Sequence, residues 1–298
     1  MKFDVVTVFP DLVEQVTSVG VVGRARERGL VDLAVHDLRD FTTDRHRTVD
    51  DAPYGGGPGM VLKVEPFLRA VDHVRQRRGE PGAVILMSPQ GETFTHEAAV
   101  RMSRLDHVVL LCGRYQGVDE RVRVQVATGE LSIGDYVLSG GELAAAVVID
   151  AVSRQMPGVV GNAESVATDS FVRRMLDCPT YTRPAQLAGH AVPEVLVSGD
   201  HGEIRRWRKR EAVKRTFRRR PDLLRRARLD DEERECLREL QAGGTRESAP
   251  PAVADDASQE SAPRNAAKRS AAAQGHGAGD EPKRRVSEAF RGAGRSEA

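Results

Sequence analysis

The chain has 298 residues, 40% of them apolar, and balances 45 Lys and Arg against 44 Asp and Glu for a formal charge of +1. That length allows about two domains. No apolar window approaches the roughly 20 residues of a membrane span, and the run before Pro10 is too short for a secretory leader. The three cysteines, Cys112, Cys178 and Cys236, form no CxxC pair and no metal spacing. This argues against a disulfide framework and fits reduced thiols of a soluble, cytoplasmic protein, with Cys112 in a strand core.

In chain order, Lys2 to Phe9 reads as a buried strand ended by Pro10, with Asp11 placed to cap a short helix. Gly23 to Arg28 reads as helix stopped by Gly29, and Val31 to Leu38 alternates as a second strand. Arg39 to Lys63 is polar and contains Pro53-Tyr54-Gly55-Gly56-Gly57-Pro58-Gly59-Met60. Two readings are open for it: a mobile surface loop, or a loop whose Gly-Pro run approaches a substrate. Helical periodicity returns over Val64 to Arg78 through Phe67, Leu68, Val71 and Val74. Ala83 to Met87 and His107 to Cys112 read as strands, with a helix over Thr95 to Leu105 between them. Glu120 to Thr128 reads as helix, Glu130 to Ile133 as a short strand, and Glu142 to Gln155 as a mostly buried helix. Strands alternating with helices predict an α/β domain with a mostly parallel sheet.

Three of the predicted strands end in glycine-containing loops: Ser88-Pro89-Gln90-Gly91, Cys112 to Gly117, and Ser132 to Glu142. Each alone is readable as a turn. Together they suggest one pocket, because ligands of open α/β sheets bind outside the carboxyl ends of the strands. Neither GxGxxG nor GxxxxGK[ST] occurs in them, so a phosphate cradle is not expected. The composition suits a planar ligand gripped by main-chain groups.

Pro157 to Asp169 lacks periodicity and reads as a linker whose polar end, Glu164 to Asp169, could act as a lid. Glu203 to Arg218 and Leu223 to Leu240 are helical, and between His201 and Asp230 there are 13 Lys and Arg against 4 Asp and Glu. A local surplus of nine positive charges on helices is the footprint of a nucleic-acid binder. From about Gln241 the chain lacks large apolar residues and is expected to be a disordered tail.

With these motifs in view, residues 1 to 240 resemble the bacterial tRNA (guanine-37-N1)-methyltransferases of the trefoil-knotted superfamily. The matching segments are Arg45 to Asp51, Pro53 to Met60, Ser88 to Gly91, Gly113-Arg114-Tyr115, Ser132 to Glu142, Tyr181 to Pro184 and Glu203 to Arg208. Two positions depart from the family pattern: Gln116 where Glu is usual, which removes a charge, and Ala144 where Pro is usual. The resemblance implies a knotted S-adenosylmethionine-binding catalytic domain over residues 1–160 and a flexible linker and lid over 161–175. A helical tRNA-binding domain over 176–241 and a disordered tail over 242–298 would follow.

The resemblance also assigns roles. Asp169 becomes the base for N1 of guanine and Arg154 the cation at O6; from residue type alone, a helix cap for Asp169 and a helix C-terminal dipole partner for Arg154 stay open. Pro89, Gly113, Tyr115, Ile133, Gly134, Asp135, Tyr136, Val137, Leu138, Gly140 and Gly141 would form the cofactor wall. Asp50, Tyr54, Gly55, Gly56, Gly57, Arg205, Arg208, Lys209, Lys214 and Arg215 would touch tRNA. A homodimer with a composite active site is implied, as is a magnesium dependence for which the sequence offers no dedicated cage. Two other functions compete: an RNA binder that kept the fold without chemistry, and a knotted methyltransferase acting on ribosomal RNA.

Overall fold

The structure, a computed structural model, describes residues 1–243, with nothing given for the side chains of residues 163–165. The expected tail beyond Gly243 lies outside the described residues.

The chain opens with strand β1 (Lys2–Thr7), helices α1 (Pro10–Thr17) and α2 (Gly20–Glu27), and strand β2 (Asp32–Asp37). Two short strands, β3 (Asp50–Asp51) and β4 (Val61–Leu62), precede helix α3 (Val64–Arg78). Then follow β5 (Ala83–Thr93), α4 (His96–Met102), β6 (His107–Cys112), α5 (Glu120–Gln125), β7 (Gly129–Ser132) and α6 (Glu142–Ser153). Beyond α6 lie α7 (Ala163–Thr168), the small ladder of β8 (Gln186–Leu187) and β9 (His190–Ala191), and helices α8 (Glu194–Val197), α9 (His201–Arg219), α10 (Pro221–Leu224) and α11 (Asp231–Ala242).

The central sheet has the order β2-β1-β6-β5-β7, and its strands pair in parallel. Alternation along β1 sends Phe3 and Val5 to one face and Val6, followed by Val8, to the other. Helices α1, α2, α4 and α6 cover the first face and α3 and α5 the second, so two cores sandwich the sheet. This is the layered α/β arrangement that the strand–helix alternation predicts. A third, smaller core of Met175, Cys178, Ala212, Val213 and Cys236 joins α9 to α11.

Several local expectations need correction. Asp11 does not cap α1: the helix starts at Pro10, whose fixed φ suits the first turn, and Phe9 occupies the cap position without a side-chain bond. The segment Ser88 to Gly91 is not a loop past the strand but an excursion within β5. Met87 and Glu92 both pair with Leu131, so the strand resumes its register after bulging outward. Gly91 permits this, since a Cβ there would lie 2.5 Å from backbone atoms of Glu130 and Leu131. Arg39 to Lys63 is not structureless: β3 and β4 pair antiparallel, and Val49 and Leu62 are buried beneath them. The stretch Pro157 to Asp169 contains the short helix α7. Helix α6 is mostly buried, as expected, with Leu143 and Val147 each 46% exposed.

One buried charge ties four elements together. Asp4 is fully buried in β1, with Nε2 of His36 at 2.6 Å, Nε2 of His107 at 2.7 Å and Nε of Arg78 at 2.9 Å. Burial alone would raise its carboxyl pKa; the bonds from His36 and His107 and the Arg78 charge outweigh that and hold it below the usual range. Its stabilising effect is therefore complete above the ordinary aspartate value near about 4 and is lost as pH falls through the lower folded value. Asp4→Asn should destabilise the protein by about 3 kcal/mol at pH 7. In denaturant titrations, that difference from wild type should shrink as the pH is taken below about 4.

Candidate active site and nucleic-acid interface

The Ser88–Gly91 excursion of β5 meets the two glycine loops that follow β6 and β7. They wall a pocket of about 280 Å³ lined by Pro89, Gly113, Tyr115, Ile133, Tyr136, Val137, Leu138, Gly140 and Gly141 among others. Of the expected cofactor wall, Gly134 and Asp135 do not line it. Their part is local: Gly134, at φ +150°, leaves room for the Tyr136 ring, which would approach an added Cβ to 2.6 Å.

The loops are stitched to one another. The Gly141 N–H donates to Gly113 O at 2.9 Å, and a Cβ on Gly141 would sit 2.9 Å from the Cα of Cys112. Gly141 is thus small because the loop from Ser132 to Glu142 runs against the end of β6. Among the described residues, Val137 and Leu138 show no backbone–backbone hydrogen bond, whereas the neighbouring Gly140 bridges antiparallel to Arg114. Their N–H and C=O groups remain available to a ligand, as main-chain recognition requires.

Sequence reasoning missed the polar support behind this wall. Glu142 is 1% exposed; it accepts from the Thr7 hydroxyl at 2.7 Å and pairs with Arg114 Nε at 3.4 Å. The Arg114 guanidinium also lies over the Phe9 ring, 4.1 Å from its centroid. Arg114 and Glu142 stand inside the singled-out motifs, which was a signal, but their pairing depends on the 132–142 loop crossing the end of β6. Cys112 is fully buried, and burial, aided by the Glu142 carboxylate, pushes its thiol up, so it is a core residue rather than a nucleophile.

Arg154 and Asp169 are brought together but away from this pocket. Arg154 is the C-cap of α6, and its guanidinium bonds the Asp169 carboxylate. Arg154 therefore does sit at a helix C-terminus, whereas Asp169 caps no following helix: it comes directly after α7 and is followed by turns. Asp169 instead lines a second, larger cleft of about 920 Å³ with Arg173, Tyr181, Arg183, Arg208 and Lys209.

The residues expected to touch nucleic acid fall in two places. Tyr54 is fully exposed at the tip of the β3–β4 hairpin, and a Cβ on Gly55, Gly56 or Gly57 would meet nothing within 4 Å. Asp50 sits at the base of that hairpin, paired with Leu62. Along α9, Arg205 and Arg208 are exposed, while Arg215 is half-buried. Lys209 is held by Asp230 at 2.8 Å and Glu232 at 2.9 Å, and Lys214 by Glu211 at 2.7 Å. The surplus of positive charge on α9 is thus partly answered by acids, most of them on and just before α11, which sequence distance concealed.

A layered parallel sheet with a glycine-walled pocket at its strand ends, joined in one chain to a helix rich in Arg and Lys, is the form of an α/β enzyme that handles nucleic acid. Comparison with known proteins makes this specific. The family model for tRNA (guanine-1)-methyltransferase, TrmD, matches residues 1–226. A tRNA (guanine-N(1)-)-methyltransferase of Geobacter metallireducens is 50% identical over 246 residues, covering 83% of this chain and 100% of that relative. The same enzyme of Pelotomaculum thermopropionicum is 51% identical over 81% of this chain and 97% of its own length. That of Halorhodospira halophila is 52% identical over 80% and 90%. The chain belongs to the tRNA (guanine-1)-methyltransferase family.

Proposed function

We propose that the protein transfers a methyl group from S-adenosylmethionine to N1 of guanine 37 of tRNA, beside the anticodon. Within the family assignment, the observation that carries the mechanism is the pairing of Arg154 with Asp169. A guanine presents N1–H and O6 side by side, and a carboxylate beside a guanidinium is the complementary pair. The Asp169 carboxylate takes the N1 proton, and Arg154 holds the charge that moves onto O6. The freed N1 lone pair forms the new N–CH3 bond as the sulfonium C–S bond breaks.

The glycine-walled pocket fits the donor. It offers main-chain groups of Val137 and Leu138 for an adenine edge and apolar walls in Leu86 and Ile133, while its carboxylates Glu120 and Glu130 are paired with Arg123. When bound there, S-adenosylmethionine supplies an already activated methyl. This chain's residues need only orient it and keep water away.

Neither Arg154 nor Asp169 lines that pocket, which supports a homodimer in which the lid aspartate of one subunit serves the other's site. Leu143 and Val147, exposed on α6 directly after the pocket's glycines, provide an apolar face for the second copy. The trefoil knot belongs to the same reading, and it is supported by the way the 132–142 loop runs back across the end of β6. Among the described residues no group of three His, Cys, Asp or Glu stands together as a metal site. No helix of the described residues is long and apolar enough to cross a membrane, and we place the enzyme in the cytoplasm with its tRNA.

The target base leaves its stack to reach the pocket, while Tyr54 and the basic helices hold the anticodon arm. Replacing Arg205 and Arg208 together with Ala should weaken tRNA binding and lower the slope of log affinity against log salt by about 1 to 2. Filter binding at several salt concentrations checks this.

The function itself is tested by methyl transfer from labelled S-adenosylmethionine to transcripts with guanine at positions 36 and 37, or with adenine at 37. Label on the first transcript alone supports the proposal. A wild type that binds cofactor and tRNA but labels neither transcript would overturn it in favour of a non-catalytic RNA binder.

A further inference from the structure

The glycine-rich hairpin and the cofactor loop are not separate devices. The Gln116 N–H donates to Met60 O, the Leu62 N–H to Gly117 O and the Asp119 N–H to Leu62 O, each at 3.0 Å. Leu62 and Val118 also form a parallel bridge. These bonds fix residues 60–62 against the loop but leave the hairpin tip without support. Only one glycine of the run is in contact: a Cβ on Gly59 would lie 2.7 Å from Cγ and 3.0 Å from Nε2 of Gln116. The same construction at Gly55, Gly56 and Gly57 meets nothing.

Gln116 therefore touches the hairpin at the point where its clamped base becomes its free tip. Its other side faces the pocket, which Tyr115, Gln116, Gly117 and Val118 all help to line. The backbone there turns through positive φ, +60° at Tyr115, unusual for a residue with a side chain, and +123° at Gly117. Tyr115 is a non-glycine residue in the left-handed region, so the turn that places its ring against the pocket also sets the direction of the next side chain, Gln116. Gly59, at φ +84°, has the backbone freedom to follow.

We infer that Gln116 is a positioning residue that couples occupancy of the cofactor pocket to the placement of the glycine hairpin, so that cofactor and tRNA bind with mutual reinforcement. The inference rests on the proposed function for the identity of the two ligands. Coupling between two sites is reciprocal and typically about 5- to 150-fold. It requires only that Gln116 contact Gly59 differently in the two states of the loop. The Cγ methylene makes the closer of the two approaches, so glutamate at this position preserves the joint and alanine removes it.

The test uses the full chain with S-adenosylhomocysteine as the pocket ligand and a transcript with guanines at 36 and 37. In wild type, S-adenosylhomocysteine should tighten transcript binding at least fivefold and slow amide exchange in a peptide spanning residues 53–62. In Gln116→Ala, the tightening should fall to within about twofold and the exchange effect should vanish. Gln116→Glu should keep both. Gly59→Ala breaks the joint from the opposite side and should match Gln116→Ala, with melting temperatures checking that each variant is folded. If S-adenosylhomocysteine protects residues 113–118 of wild type but leaves 53–62 unchanged, or if Gln116→Ala keeps the full tightening, the coupling does not exist. If wild type binds no S-adenosylhomocysteine at all, it is the functional proposal that fails instead.

Discussion

Asp169→Asn should lower the rate of methyl transfer about 10²- to 10⁴-fold, the range lost when a positioned general base is removed. Asparagine has nearly the same shape and its amide oxygen still accepts from Arg154, so the segment after α7 keeps its place. What it cannot do is take the N1 proton. The loss should therefore appear in single-turnover rates at saturating tRNA and cofactor, with both dissociation constants changed only a few-fold. Arg154 lies at the other half of the same pair, and its loss should act on the charge at O6. The two substitutions should be strongly non-additive, since residues that act as a unit lose most of their effect together. A rate for Asp169→Asn within about threefold of wild type would remove the aspartate from the chemistry and leave it a merely structural partner of Arg154.

Gly91→Ala should cost the pocket its shape, although Gly91 touches no expected catalytic group. The added Cβ would meet the Glu130 carbonyl carbon and the Leu131 nitrogen at 2.5 Å and the Leu131 carbonyl carbon at 2.7 Å. All three are backbone atoms of β7 that cannot rotate out of the way. Relief requires β5 and β7 to part at the place where Met87 and Glu92 share Leu131 as their partner. Overpacking of this kind costs about 1–3 kcal/mol. Pro89 rides on the displaced excursion and Ile133 directly follows β7, so both walls of the pocket move together. Titration with S-adenosylhomocysteine should show at least a tenfold loss of affinity, and melting should occur several degrees lower. Unchanged affinity at a lowered melting temperature would mean that the bulge serves the sheet alone and does not shape the pocket.

The residues legible in the sequence were those whose role is written locally. Period-two and period-3.6 patterns located the five sheet strands and the helices between them to within a few residues except at the end of β5, which runs six residues past Met87, because burial of a face is a property of each segment. The glycines of Ser132 to Glu142 announced a main-chain loop before any neighbour was known. The basic surplus on α9 was equally visible.

What stayed hidden depends on which segments become neighbours. Asp4 in the first strand gives no hint that His36, Arg78 and His107 converge on it, since only the order β2-β1-β6-β5-β7 brings them together. The same is true of Glu142, whose partners are Thr7 and Arg114, and of Lys209, whose charge is answered by Asp230 and Glu232. The bulge in β5 exists because Gly91 meets β7, and the hairpin base is anchored because Met60 and Leu62 bond Gln116, Gly117 and Asp119. By itself the sequence determined the elements, the glycine loops and the sign of the surface, because each is set by residues close in the chain. Only the tertiary structure decided how the polar groups pair, because a buried carboxylate or a close backbone approach is satisfied by whatever the packing order places opposite it.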